Sequence, residues 1–327
     1  MPTNLPPEYF EAEERHRAAG SIAEQISTLE QLISTVPKHK GTDKLRADLR
    51  RKLSKLKAQS QSKKGAAKHD SAYHIDREGA GQVVLVGLAN VGKSALLAAL
   101  TNATPEVAAY PYTTWTPTPG MMLVENVQVQ LIDTPPLNRD FIEPEQLNLI
   151  RRADLVLLVI DLQSYPLEQF EEAVDILLEN RIVAAHLREG YQGERPLFVP
   201  FLMVVNKTDD EGGDDDVEVL RELLGSEWPL VAVSAANGRN LDDLRWAVFD
   251  LLGIMRVYSK PPGKQPDRGA PFVLKTGSTV EEFAGKVHGD FRETLKSARV
   301  WGSGVHDGQM VGRDHVLSDE DVVELRV

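Results

Sequence analysis

The chain has 327 residues, no cysteine, 42% apolar and 26% charged residues, and a formal net charge of −12. That length suits roughly two domains, and the absence of thiols excludes disulfide frameworks, thiolate nucleophiles, iron–sulfur clusters and Cys-ligated zinc. The longest near-continuous apolar run, Leu197 to Val205, is nine residues with one proline, far short of a membrane span. The N-terminus is acidic and has no apolar leader core, so the expectation is a soluble, cytoplasmic protein, monomeric by default and without a membrane partner.

Charge is unevenly spread. Residues 38–68 carry 12 Lys+Arg against 2 Asp+Glu, whereas residues 69–255 carry 12 against 30. A basic arm on an acidic body suits a polyanionic partner for the arm; a solvated helix face is the plainer reading.

In chain order, Ile22, Ile26, Leu29, Leu32 and Ile33 recur at three- and four-residue spacing, predicting a first helix that ends by Pro37 and Gly41. TDKLRADLRRKLSKLK predicts a second, capped by Thr42 or Asp43, with Leu45, Leu49, Leu53 and Leu56 on one face. KHKG between them makes an antiparallel helical hairpin with a basic outer face, and AQSQSKKGAAKHDSAY reads as a linker.

From Gln82 the period changes. QVVLVG, VQVQLID, ADLVLLVID, LFVPFLMVVN and PLVAVS are short apolar runs of the kind buried on both faces of a parallel sheet. Helical patterns alternate with them: GKSALLAALT, PLEQFEEAVDILLEN, VEVLRELLG and NLDDLRWAVFDLLG. The expectation is an α/β fold with a doubly wound, mostly parallel sheet. MMLVEN and VQVQLID predict one antiparallel hairpin turning at Glu125-Asn126, and the acidic run Asp209 to Glu218 a solvated loop. After Leu252, KPPGKQPDRGAP marks a boundary. A small α+β module follows: FVLK, a helix TVEEFAGKVHGDF starting at Ser278 or Thr279, a helical stretch RETLKSA, then VWG and VVELRV.

GLANVGKS, Gly87 to Ser94, fits G-x-x-x-x-G-K-[ST] between a strand and a helix. The glycines let backbone amides face phosphates at a helix N-terminus; Gly87, Asn90, Val91, Gly92, Lys93, Ser94 and Ala95 are the candidate binding residues. Lys93 would neutralise β- and γ-phosphates and the Ser94 hydroxyl would bind Mg²⁺. IDTP places Asp133 at a strand end, where a carboxylate can hold Mg²⁺ through water. NKTD places Asn206, Lys207 and Asp209 at another. Asp209 can accept two hydrogen bonds from guanine N1–H and its exocyclic amine, donors that adenine lacks. Lys207 would lie along the base, and Asn206 would tie the base site to the phosphate loop. VSAANG supplies Ser234, Ala235 and Ala236, with the Ala235 amide directed at guanine O6. NKTD argues against an ATP-dependent kinase. AAYPYTTWTPTPG has threonines that can reach Mg²⁺ and the γ-phosphate as a switch, or it is a Pro/Thr-rich loop.

These residues resemble the Obg family of GTPases, closest to its developmentally regulated GTP-binding branch. The carrying stretches are EVAAYPYTTWTPTPG, NKTD, SAANG and the C-terminal RVYSKPPGKQPDRGAPFVLKTGSTVEEFAGKVH with VWGSGVHDGQMVGRDHVLSDEDVVEL. The last two resemble the TGS domain, a β-grasp, ubiquitin-like module. The resemblance implies three parts: residues 1–68, a basic helical hairpin and the start of a linker; 80–255, a P-loop G domain; and 256–327, a TGS domain. It implies GTP hydrolysis to GDP and phosphate with Mg²⁺, and a ribosome or RNA partner for the hairpin and the TGS domain. It makes Thr114 the switch threonine on Mg²⁺, with Tyr112 and Thr113 beside the nucleotide, and Lys93, Thr114 and Asp133 the catalytic set. It puts Asn90 where potassium-stimulated relatives hold K⁺, although Asn90 also suits a simple turn.

Two departures bear on catalysis. The family's Asp-x-Pro-Gly is here Asp133-Thr134-Pro135-Pro136, and Pro136 has no N–H to offer a γ-phosphate. The glycine-rich second switch gives way to LNRDFIEPEQLNLIRR. The alternative reading is therefore a guanine-nucleotide-binding scaffold with little or no hydrolysis. The 44 residues between Asp161 and Asn206 leave no room for the small inserted domain of some relatives.

Overall fold

The computed structural model describes residues 73–101, 116–139, 141–225 and 228–326, together with Thr28, Leu29, Leu32, Thr35, Leu49 and Lys52. The chain divides into two units, Met1–His74 and Ile75–Val327. In the first, Leu29 and Leu32 are helical and buried, and the Thr35 hydroxyl donates to the Leu32 carbonyl at 2.8 Å. Leu49 and Lys52 are helical, Lys52 exposed; the rest of the expected hairpin lies outside the described residues.

The second unit begins with β1 (Gln82–Val86), which is buried along its whole length. The phosphate-loop segment leads into α1 (Lys93–Leu100). β2 (Thr118–Val124) and β3 (Val127–Asp133) pair antiparallel, with Val124 opposite Val127, so the turn is Glu125-Asn126 as expected. After α2 (Pro144–Arg152) come β4 (Leu155–Asp161), α3 (Pro166–Glu179) and β5 (Ile182–Ala184). Then follow β6 (Leu197–Val199), β7 (Phe201–Asn206), α4 (Asp214–Leu224), β8 (Leu230–Ala232) and α5 (Leu241–Leu251).

The strand order is β2-β3-β1-β4-β7-β8, parallel except at β2. Alternation sends neighbouring side chains to opposite faces. Leu157, Val159, Leu202 and Val204 join one core with Leu96 and Leu97 of α1 and Leu244 and Val248 of α5. Ile160, Met203 and Val205 join another with Val217 and Leu220 of α4. Both faces being covered explains the continuous apolar runs.

Two expectations need correction here, and a segment that carried none gains a helix. The run Leu197 to Val205 is two strands rather than one, because Pro200 cannot donate to a ladder, and β6 pairs with β5 in a separate two-stranded sheet. The acidic run is not all loop: Asp214, Asp215 and Asp216 form the first turn of α4, where carboxylates complement the exposed N–H groups and the helix dipole. The segment replacing the second switch contains α2, which starts at Pro144, a residue preset for a first helical turn.

The chain then enters a five-stranded sheet, ordered β10-β9-β13-β11-β12. β9 is Ile254–Ser259 and β10 Phe272–Lys275. α6 (Val280–Val287) carries a full capping box between Thr279 and Glu282. α7 (Gly289–Thr294), β11 (Ser297–Trp301), β12 (Gln309–Val311) and β13 (Asp321–Arg326) complete it. The expected long helix breaks at His288, in extended backbone, and the second ends before Lys296. β9 was not anticipated as a strand, since Arg256 interrupts its apolar pattern, nor was the short β12.

Arg256 joins the two sheets. Its side chain is 4% exposed. The guanidinium donates to both Asp319 oxygens, at 3.2 and 2.7 Å, pairs with Glu320 at 3.0 Å, and bonds Glu125 at the β2–β3 turn. It also lies 5.4 and 5.5 Å from the ring centroids of Trp246 and Phe249 on α5. Alongside it, Asn126 Nδ2 donates to Tyr258 Oη and the Arg268 carbonyl, each at 3.0 Å. The Asp319 hydrogen bonds are the largest influence holding Arg256 protonated above its ordinary range. Replacing Arg256 by Met leaves three carboxylates facing one another. The expected cost is about 2–3 kcal/mol in denaturant unfolding, below that of a fully buried pair because the carboxylates keep water. Glu125→Gln should cost under about 1 kcal/mol; equal losses from both changes would refute the assignment of Arg256 as the hub.

Candidate functional site

β1 delivers the loop Gly87–Gly92 to the N-terminus of α1. Gly92 has φ 93°, and a Cβ there would sit 2.2 Å from Asn206 Nδ2; a Cβ on Gly87 would sit 2.4 Å from the Val159 carbonyl oxygen. Both close approaches demand glycine. Asn90 is exposed in the left-handed region at φ 64°, a conformation Asn tolerates well. Val91 is buried; Ala95 is exposed on the first turn of α1.

Lys93 is 5% exposed. Its ammonium donates to the carbonyls of Gly87 at 3.0 Å and Leu88 at 2.7 Å. Burial brings its pKa down to about 8, opposed by attraction to Asp133. Ser94 Oγ donates to Asp133 Oδ2 at 2.5 Å. Burial pushes Asp133 above the usual carboxylate range, against the Ser94 hydrogen bond and the nearby Lys93 charge. Its Oδ1 is buried with no hydrogen-bond partner among the described residues. A hydroxyl and a spare carboxylate oxygen beside a buried ammonium form an oxygen-donor set of the type a hard divalent cation takes.

The segment after Asp133 is tied down by residues the sequence reading did not single out. Thr134 Oγ1 donates to the Leu85 carbonyl at 2.6 Å, Leu137 N–H to the Gly87 carbonyl at 3.0 Å, and Gln146 Nε2 on α2 to the Pro135 carbonyl at 2.7 Å. Pro135 and Pro136 have no N–H, and that of Leu137 is already used. Positions 135–137 thus leave no backbone donor free for a ligand.

At the other end, Asn206 is buried and spans two loops. Its Nδ2 donates to the Val91 carbonyl at 3.0 Å and its Oδ1 accepts from the Ala235 amide at 3.1 Å. The Ala235 amide is thus turned to Asn206 rather than held free toward a base, a difference from expectation. Lys207 takes φ 67° and its ammonium meets Asp161 Oδ2 at 2.6 Å. Asp209 Oδ1 accepts from the buried Ser234 hydroxyl at 2.6 Å, and Asn237 Nδ2 donates to the Asp209 carbonyl at 2.7 Å. Ala236 is exposed. Gln163 Nε2 donates to the Lys207 carbonyl at 3.1 Å, and Arg239 brackets the loop through the Asp210 carbonyl and both Asp214 oxygens. Asp161, Gln163, Asn237 and Arg239 are supports the sequence reading missed. The one signal was that Asp161 ends a strand beside the NKTD strand. Tyr112, Thr113 and Thr114 lie outside the described residues.

The fold and these motifs have counterparts. Residues 82–207 match the family model described as a 50S ribosome-binding GTPase, and residues 255–327 match the TGS domain. An uncharacterized GTP-binding protein of Methanocaldococcus jannaschii is 30% identical over 365 aligned positions, covering 93% of this chain and 92% of its own. Developmentally-regulated G-protein 1 of Arabidopsis thaliana is 31% identical, covering 93% and 91%. Both alignments are longer than this chain, so the relatives carry segments without a counterpart here. Among solved structures, the YchF GTPase of Schizosaccharomyces pombe superposes with a TM-score of 0.53 at 13% identity, covering 77% of this chain and 99% of that one; it shares the fold.

Lys93 gives a pH test. Burial lowers its pKa to about 8, and a phosphate ligand favours its charged form. GDP affinity should be at full strength below pH 8 and fall as pH rises through it, approaching about tenfold per unit for one linked proton. Calorimetric titrations from pH 7 to 9, below the range in which guanine N1–H ionises, should show this slope in the wild type and not in Lys93→Ala; identical slopes would remove Lys93 from the phosphate site.

Proposed function

The chain belongs to the family of developmentally regulated GTP-binding proteins, which join an Obg-type GTP-binding domain to a TGS domain, and from that premise we propose that it is a slow GTPase whose nucleotide state switches its association with a ribosome or another RNA. Residues 80–255 would be the G domain and 256–327 the TGS module. The observation that carries the reading is the Ser94–Asp133 pair beside buried Lys93, with one Asp133 oxygen uncommitted. Ser94 and Asp133, joined by Thr114, would hold Mg²⁺, which when bound neutralises charge on the β- and γ-phosphate oxygens.

The chain's own residues do the rest. Amides at the start of α1 cradle the phosphates. Lys93 exchanges the Gly87 and Leu88 carbonyls for phosphate oxygens. Asp209, oriented by Ser234, accepts from the guanine edge, while Lys207, held by Asp161, lies along the base. Tyr112 and Thr113 flank the nucleotide. Water then takes the γ-phosphoryl group and GDP leaves; positioning and charge neutralisation supply most of the rate. K⁺ at Asn90 would add positive charge near the breaking bond.

A second reading, a guanine-nucleotide-binding scaffold with little turnover, is favoured by the missing backbone donors at 135–137. Phosphate release from GTP and Mg²⁺ decides between them, comparing K⁺ with Na⁺ at matched ionic strength for wild type and Asn90→Ala. The expected result is turnover in K⁺ that drops several-fold in Na⁺ and in Asn90→Ala. No release above a Lys93→Ala control in either salt, with GTP bound, would establish the scaffold.

For the partner, the support is the charge of residues 38–68 and the ribosome-binding description of the matched family. Reversing Arg50, Arg51, Lys52 and Lys55 should weaken RNA binding and flatten its dependence on salt, since phosphate contacts release counterions. Unchanged salt-titrated binding would take the arm out of the RNA reading.

A further inference from the structure

A groove of about 360 Å³ lies between the start of α3 and the outer side of α4. Leu162, Leu167 and Leu220 line it, and its two lips are apolar side chains left in water. Val219 and Leu223 on α4 are 55% and 63% exposed, and Tyr165 at the entry to α3 is 75% exposed. Along α4, Asp216, Val219, Leu220 and Leu223 follow the i, i+3, i+4, i+7 spacing of one helix stripe. Only Leu220 of these turns into the core.

Tyr165 is not there for the helix. It occupies the N-cap with φ 48° and makes no side-chain cap bond. Tyrosine is a poor choice for that position, and the left-handed conformation costs it about 1 kcal/mol. The fold thus holds an aromatic ring out over an apolar groove at an energetic cost, a pattern associated with binding surfaces.

Charge says what fits. Glu168 and Asp216 stand at the rim. On α4, Asp214 is taken by Arg239 and Glu218 by Arg221. Asp215, Asp216 and Glu222, with Glu168 on α3, have no ion-pair partner among the described residues. An apolar strip inside an acidic rim is complementary to a helix with a leucine-type stripe and basic flanks, the helix-in-groove mode. A second copy of this face is disfavoured, because a two-fold axis would set the acidic rims against each other.

We propose that this groove is a docking site for a basic amphipathic helix of a partner protein. The proposal is independent of whether the chain hydrolyses GTP or binds RNA. The floor residue Leu162 lies between Asp161, which holds Lys207, and Gln163, which bonds the Lys207 carbonyl, so the partner would sit beside the base-recognition loop.

The probe is a labelled 18-residue peptide with leucines at i, i+3, i+4 and i+7 spacing and lysines elsewhere, titrated with the full chain and read by fluorescence anisotropy. One control peptide has the same composition with its leucines spaced every second residue; another carries glutamates in place of the lysines. The helical basic peptide should bind about tenfold or more tightly than either control. Leu223→Glu with Val219→Glu should weaken it about tenfold, Asp216→Lys several-fold with a shallower salt dependence, and Met310→Glu on the distant sheet not at all. All substituted positions are exposed, and thermal unfolding checks that each variant folds. Equal binding of the period-two peptide, or full binding by either groove variant, would overturn the proposal. So would failure of the basic peptide to bind; self-association lost in Leu223→Glu, read by light scattering, would then make the occupant a second copy. GDP binding measured on the same samples separates this outcome from failure of the nucleotide reading.

Discussion

The side-chain amide of Asn206 is where three segments distant in sequence meet. It ends β7, donates to the phosphate loop at Val91, and accepts from the loop after β8 at Ala235. Buried, with both ends satisfied, it fixes the spacing between the candidate phosphate and base ends of the site. It is also why Gly92 must be glycine, since the amide occupies the space of a Cβ. The parallel pairing of β1 with β4 and of β4 with β7 brings these strand ends to one edge, where side chains from several strands converge in open α/β sheets. Asp161 and Lys207 share that edge, and their ion pair holds a lysine whose left-handed backbone would otherwise be costly.

A second constraint is the shortage of donors after Asp133. In a switch built on Asp-x-Pro-Gly, a free amide can follow the γ-phosphate. Here two prolines supply none, and Leu137 gives its amide to Gly87, the loop carbonyl that also accepts from Lys93. Thr134 and Gln146 pin the segment from either side. The phosphate loop and the segment after β3 are thus one hydrogen-bonded body, and a nucleotide-dependent change must break Leu137–Gly87 or pass elsewhere.

The β2–β3 hairpin offers an elsewhere. One end of β3 is Asp133, at the candidate cation site; the other is the Glu125-Asn126 turn, bonded to Arg256 and Tyr258 of the second sheet and to the Arg268 carbonyl in the loop after β9. Strands in register are stiff along their length, so the hairpin is a physical connection between the phosphate end of the first sheet and the whole second sheet. Arg256 suits the task because a planar, permanently charged fork can satisfy several carboxylates and still stack on aromatic rings.

Much of this was legible in the amino-acid order because short-range chemistry fixed it. The continuous apolar runs of β1 and β4 could only be strands covered on both faces, GLANVGKS falls on a strand–loop–helix junction as its pattern requires, and Thr279 with Glu282 wrote its own helix start. What failed had a long-range cause. The run to Val205 broke at Pro200, whose missing N–H mattered only once β6 had β5 to pair with. The acidic run turned partly helical because α4 packs Val217 and Leu220 on the sheet. β9 was hidden because Arg256 reads as a polar interruption until Glu125 and Asp319, 131 and 63 residues away, are seen around it. The sequence by itself determined the class of fold and which residues are candidates for the site, since motif spacing is set by backbone geometry within a few residues. Only the tertiary structure decided which atoms hold those residues in place, because Asp161, Gln146, Asn237 and Arg256 act through partners that the fold, and not the chain, makes neighbours.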